Sequence, residues 1–108
     1  MAETLLTREH DGQTVIAPVG STLVLVLDES PTTGHVWVDR SEGGGLTAAG
    51  DEFSPARAGV AGAGGEHRFR WRVLQPGIHR LQLALVQPWA GGAPPADRYT
   101  VTVHAVAT

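Results

Sequence analysis

Apolar positions in this chain recur with a period of two, the spacing of strands whose alternate side chains face one side of a sheet. The clearest case is His67–Val73: His67, Phe69, Trp71 and Val73 fall on one face, and Arg68, Arg70 and Arg72 on the other. Leu81, Leu83 and Leu85 repeat the pattern, with Arg80 and Gln82 facing out, and Tyr99, Val101 and Val103 repeat it again. Leu23–Leu27 is an unbroken aliphatic run, which reads as a central strand covered on both faces. Further strands are predicted over Gln13–Val19, with Pro18 marking an edge or a bulge, and over His35–Arg40, with Trp37 inward. Ser41–Gly50 reads as a Gly-rich surface loop. Phe53 anchors a short strand, and Ser54-Pro55 through Val60 reads as irregular. No segment carries the spacing of an amphipathic helix. Short strands separated by Gly, Pro, Asp and Ser clusters predict an all-β sandwich or barrel.

The turns sort into two ends. In an antiparallel sandwich each strand carries the chain from one end to the other. Two strands separate the loop Ser30-Pro31-Thr32-Thr33-Gly34-His35 from the small-residue loop Ala61-Gly62-Ala63-Gly64-Gly65. Two more separate that loop from the one opened by Gln87-Pro88-Trp89. All three are therefore expected at one end, as the recognition loops of variable immunoglobulin domains are. Val19-Gly20-Ser21 and Gln75-Pro76-Gly77 turn the chain at the other. In the first loop, Pro31 fixes its own φ and drives Ser30 toward extended backbone, while Gly34 permits positive φ. Such a loop is stiff, and its threonines make it rich in hydrogen-bonding groups.

Composition narrows the function classes. The 108 residues suit a single domain spanning 1–108, with an ordered core expected over about 13–106. A net charge of −3 argues against nucleic acid, which calls for a basic footprint. There is no cysteine, which excludes a disulfide scaffold, a thiol nucleophile and a thiolate-held metal. The first residues are polar and acidic, with no basic start followed by an apolar stretch, and no run is long enough for a membrane helix. As written, a cytoplasmic location is expected; a trimmed export segment would make the protein periplasmic or secreted. No feature calls for an oligomer, so a monomer is expected.

Catalytic chemistry finds little foothold. There is no Gly-x-Ser-x-Gly, and the acidic residues do not converge by parity. The five histidines give no pair at ligand spacing on one element, so neither metal nor cofactor is expected. Gly62–Gly65 is followed by a strand rather than a helix start, so it is not a phosphate loop. The Arg68, Arg70, Arg72 stripe fits a solvated, edge-protecting sheet face better than an anion-binding surface. Trp89 follows a proline in a loop and has only small neighbours, which suits an interface anchor as well as a side chain folded back on the sandwich.

Taken together, the three loops resemble the signature of the chagasin family, inhibitors of papain-like cysteine proteases. Ser30-Pro31-Thr32-Thr33-Gly34-His35 is similar to the family's Asn-Pro-Thr-Thr-Gly-aromatic motif. Gly62-Ala63-Gly64-Gly65 followed by His67 and Phe69 resembles the second motif, and Gln87-Pro88-Trp89 with Gly91 the Arg-Pro-Trp third. The resemblance runs from about Gln13 to Val103. It implies an immunoglobulin-like antiparallel β-sandwich that is not an enzyme but inhibits one, tightly, reversibly and without being cleaved. It implies that Pro31, Thr32, Thr33, Gly34 and His35 enter over the catalytic residues of the protease. Gly62, Ala63, Gly64 and Gly65 would lie along the cleft wall, and Gln87, Pro88 and Trp89 on the primed side. Ser30, His35 and Gln87 depart from the family's Asn, aromatic and Arg. The competing expectation is a non-inhibitory immunoglobulin-like module that keeps the scaffold and binds something else, at the same loops or at the arginine face.

Overall fold

The computed structural model describes residues 2–55 and 64–108. These form strands β1 (Glu3–Leu6), β2 (Thr14–Pro18), β3 (Thr22–Glu29), β4 (Val36–Asp39), β5 (Leu46–Pro55), β6 (Gly65–Val73), β7 (Gly77–Val86) and β8 (Asp97–Val106). One sheet runs β1-β3-β6-β5 and the other β2-β8-β7-β4. The β1–β3 and β2–β8 pairings are parallel. The remaining pairings are antiparallel.

The period-two pattern explains the packing. Leu23, Leu25 and Leu27 of β3 and Phe69, Trp71 and Val73 of β6 meet Leu81 and Leu83 of β7 and Tyr99, Val101 and Val103 of β8 in one core. Each large side chain removed from water contributes roughly 1.5–3 kcal/mol before entropy is set against it. Trp37 of β4 joins this core. The polar tips of the buried Trp37, Trp71 and Tyr99 find acceptors, as buried tips must. The Trp71 indole N–H donates to Asp39 Oδ2 at 2.7 Å and the Trp37 indole N–H to the Asp28 carbonyl at 2.9 Å. Both bonds run from one sheet to the other. The Tyr99 hydroxyl donates to the Thr7 carbonyl at 2.9 Å.

Three local expectations need correction. Glu3–Leu6 is not a lead-in ahead of the core: it forms β1, with Leu6 wholly buried. The chain then crosses through a short 3-10 turn at Arg8–His10 to the other sheet, where it becomes β2. Ser41–Gly50 is not all loop, because β5 begins at Leu46 and continues through Phe53 to Pro55. This strand borders the sheet with β6 as its neighbour and is exposed beyond Leu46. Its register slips between Ala48 and Asp51, where Gly50 takes φ +109°. An exposed edge strand with a bulge has no alternation to read. Gly65 belongs to β6 rather than to the preceding loop. Ser54 and Pro55, expected to open an irregular stretch, are the last residues of β5; the rest of that stretch, to Val60, together with Gly62 and Ala63, lies outside the described residues.

The strand count survives these shifts. The last residue of β3, Glu29, pairs with the first of β6, Gly65, which also pairs with the last of β5, Pro55. Val36 at the start of β4 pairs with Val86 at the end of β7, and Leu85 pairs with Asp97 at the start of β8. The three connections therefore leave from one end. At the opposite end the Gly20 N–H donates to the Val73 carbonyl at 2.8 Å.

Candidate functional site

The first loop is a compact, self-bonded turn. Pro31–Thr33 forms a single 3-10 turn after β3. The Ser30 carbonyl accepts both the Thr33 N–H, at 3.1 Å, and the Thr33 hydroxyl, at 2.9 Å. Thr33 Oγ1 in turn accepts the His35 N–H at 3.3 Å, and His35 Nδ1 lies 3.1 Å away. The hydroxyl has one proton, already directed at Ser30, so His35 Nδ1 must carry the hydrogen of its contact. Thr33 is thus fully engaged inside the loop. Thr32, exposed at the tip, is the threonine turned to the surroundings. His35, standing where the family motif has an aromatic, is half-buried at the loop base and bonds the turn instead of only packing against it.

The third loop is built onto the first. Pro88–Ala90 forms another 3-10 turn, with the Ala90 N–H donating to the Gln87 carbonyl at 3.0 Å. The Gln87 side-chain amide donates to the Thr33 carbonyl at 3.2 Å. Gly34 takes φ +78°, a region that favours glycine, and the space where its Cβ would stand is filled by the indole of Trp89. Trp89 is nevertheless 70% exposed. The two readings of this residue are thereby combined: the outer edge of the ring rests on the neighbouring loop and the rest meets solvent.

Of the second loop's four candidate residues, Gly64 and Gly65 are described. A Cβ on Gly65 would come within 2.9 Å of Pro55 Cα, so the strand pairing there needs a glycine. A Cβ on Gly64 would stand 3.0 Å from Ser30 Oγ, which places the end of this loop against the start of the first.

Beneath the loops lies a group that parity on the strands could have signalled and that the motifs did not. Glu29 occupies the next inward position after Leu23, Leu25 and Leu27, and it is buried. Its Oε2 accepts the Trp37 N–H at 2.8 Å and faces His67 Nδ1 at 3.0 Å. His67 Nε2 is 2.6 Å from Asp51 Oδ2. With a carboxylate at each ring nitrogen, both nitrogens donate and the ring is an imidazolium. Burial opposes that charge, but the hydrogen bonds to Glu29 and Asp51 outweigh it and hold the pKa above the ordinary value of 6.5. Neither nitrogen has a lone pair left for a metal. Among the described residues no trio of His, Asp or Glu is arranged to hold a metal ion.

Arg8 braces the exit of the third loop. Its guanidinium bonds Asp97 at 2.9 Å and lies 5.9 Å from the Trp37 ring centre. The Arg8 hydrogen bond holds the Asp97 carboxyl below the usual range. On the arginine face, Arg70 is paired with Glu52 at 3.3 Å, as expected of a solvated sheet surface.

The described part of this end of the sandwich therefore joins the first loop to the third, with an exposed indole resting on Gly34, and brings Gly64 against Ser30. The model of the chagasin family peptidase inhibitor I42 matches residues 16–103. The chain belongs to the chagasin family. Family members are peptidase inhibitors, not enzymes. Chagasin of Trypanosoma cruzi is 29% identical over 105 residues, covering 93% of this chain and 96% of the relative. The crystal structure of the cysteine protease inhibitor EhICP2 from Entamoeba histolytica superposes with a TM-score of 0.84 over 96% of each chain, at 21% identity. PbICP-C, solved in complex with falcipain-2, superposes with a TM-score of 0.64 at 14% identity, over 97% of this chain and 99% of that one. The shared fold is the immunoglobulin-like sandwich expected of the family.

Proposed function

We propose that this chagasin-family inhibitor acts on papain-like cysteine proteases by seating the three-loop end in the active-site cleft, reversibly and tightly. Thr32 at the tip reaches over the catalytic residues, and Thr33, Gly34 and His35 hold it there. The second loop, Gly62–Gly65, follows the cleft wall, as the family resemblance implies. Trp89, resting on Gly34 of the first loop, stacks on the primed side. Kinship supports the partner: a structural neighbour is solved bound to falcipain-2, a protease of this class.

The observation that carries the site assignment is Trp89, exposed over most of its surface and already packed on Gly34. An aromatic anchor held in its bound orientation loses little entropy on docking. The test is a titration of papain with the pure protein. Dose-dependent, reversible inhibition is expected, and Thr32→Ala and Trp89→Ala are each expected to weaken it by roughly 1–4 kcal/mol. Inhibition indifferent to both substitutions would remove the loops from the mechanism. No inhibition of any papain-like enzyme would leave only a binding module on the same scaffold.

A further inference from the structure

Glu29, His67 and Asp51 come from three neighbouring strands, β3, β6 and β5, and form one continuous chain under the loops. Glu29 is the last residue of β3, so the first loop starts from its backbone. Its carboxylate also holds the Trp37 N–H on β4, at the loop's far flank. A buried carboxylate with one neutral donor is costly, and the imidazolium of His67 supplies the compensating charge. At its other nitrogen His67 reaches Asp51 on β5, the strand that leads into the second loop. The ring is held against turning. It stacks on Phe69 with centroids 4.1 Å apart and planes within 14°, and Phe53 meets it edge-on at 6.4 Å.

We propose that His67 is a positioning residue for protease inhibition: as the protonated link between Glu29 and Asp51 it sets the start of the first loop at Ser30 against Gly64 and Gly65, so that affinity for the protease follows its protonation. The proposal rests on the reading of the loop end as the protease-binding surface.

The chemistry gives the switch a direction. A neutral imidazole keeps one proton. Glu29 is buried and Asp51 is largely exposed, with side-chain accessibilities of 4% and 56%. A lone pair turned on the buried carboxylate is the worse alternative, so the remaining proton stays on Nδ1 and the Asp51 contact is given up to water. The first loop keeps its anchor at Trp37, while β5 loses its side-chain tie to His67, four residues before Pro55, and is left with its backbone pairing to β6. Other charged groups nearby are turned elsewhere. Glu66 and Arg68 have outward parity on β6, and Asp28 is exposed on β3. Glu52 of β5 faces Arg70, and Asp39 of β4 takes the Trp71 indole and the Ser41 N–H.

Papain inhibition constants of the unaltered protein and of His67→Gln, measured from about pH 5.5 to 8.5, test this, since the ratio at each pH cancels the enzyme's own titration. Gln can still donate to Glu29 but has no proton to lose. The variant is expected to be about tenfold weaker at the acid end, with the ratio falling toward unity through a midpoint above 6.5. Asp51→Asn should give the same acid-side loss. A ratio that stays constant across pH overturns the proposal. In the free protein, NMR should find the Gly64 and Gly65 amides titrating with the His67 ring, and amides that ignore the ring overturn it as well. If papain is not inhibited at any pH, the protease reading has failed, and the NMR titration alone decides whether His67 positions the loops.

Discussion

The indole of Trp89 occupies the space in which Gly34 would carry a Cβ. The indole of the third loop therefore rests directly on the backbone of the first, and Gly34 is required twice, for its φ of +78° and for this contact. Gly34→Ala is expected to weaken papain inhibition by about ten- to a hundredfold, combining a backbone cost of roughly 1–2 kcal/mol with displacement of the ring. In a Trp89→Ala background the same change should cost clearly less, because only the backbone part remains. A double-mutant cycle on inhibition constants measures the difference, and strict additivity would show that the two residues act separately.

Gln87 ties the same loops by its amide, at 3.2 Å from the Thr33 carbonyl. Gln87→Ala should raise the inhibition constant about fivefold, the worth of one ordinary hydrogen bond near 1 kcal/mol. Gln87→Glu should do more damage, since a carboxylate cannot donate and would face a carbonyl oxygen. The melting temperature of both variants should stay close to that of the parent, because the contact is exposed. A fall in melting temperature larger than the loss of inhibition would assign Gln87 to the fold instead.

Asp39 offers the converse case, a residue for stability and not for docking. Asp39→Ala leaves the Trp71 indole N–H without its acceptor between the sheets. The expected cost is about 1–3 kcal/mol. Urea unfolding followed by tryptophan fluorescence would read it as a lower midpoint. Inhibition, measured where the variant is folded, should be unchanged.

Tyr99 is the sole tyrosine, so its ionisation can be followed by absorbance without ambiguity. Burial raises its pKa from 10.0 to about 12, with the nearby Asp11 charge adding to the effect. The folded state thus holds the proton more tightly than the unfolded state. The associated stability is complete below pH 10.0 and is lost as pH rises toward about 12. Phenolate absorbance is expected to appear late in an alkaline titration and together with loss of the near-ultraviolet dichroism. A midpoint at the ordinary value with structure intact would contradict this. Tyr99→Phe should abolish the signal and, by freeing the Thr7 carbonyl, cost about 1 kcal/mol.

How much could be read from the chain depended on whether a residue's role was local. β6, β7 and β8 announce themselves because each has one face in the core and the other in water. β1 contributes a single buried leucine from four residues, too little for a periodicity. β5 is an exposed edge with a bulge, and its hydrogen bonds to β6 rather than its side chains make it a strand. The three loops were legible as motifs, and strand counting placed them together. The contacts that couple them were not, since Gln87 and Thr33 lie 54 positions apart and nothing in either segment specifies the other. Glu29 was legible in principle: a carboxylate at an inward position of an otherwise aliphatic strand needs a partner, and His67 lies on the same face of β6, two residues beyond Gly65, with which Glu29 pairs.

The turn at Pro31–Thr33 has a consequence for the fate of the protein itself. A peptide about to be cut lies stretched along the cleft, advancing about 3.3 Å per residue, whereas a 3-10 turn advances only about 2.0 Å. Here the Ser30 carbonyl is also turned inward and holds two hydrogen bonds from Thr33. Seated in the cleft as proposed, a chain folded this way would fill the place of a substrate without offering a bond in register with the nucleophile. Enzyme and inhibitor then part as they met, and one inhibitor molecule can restrain a succession of protease molecules. After long incubation with excess papain, mass spectrometry should find the chain unbroken between Ser30 and His35.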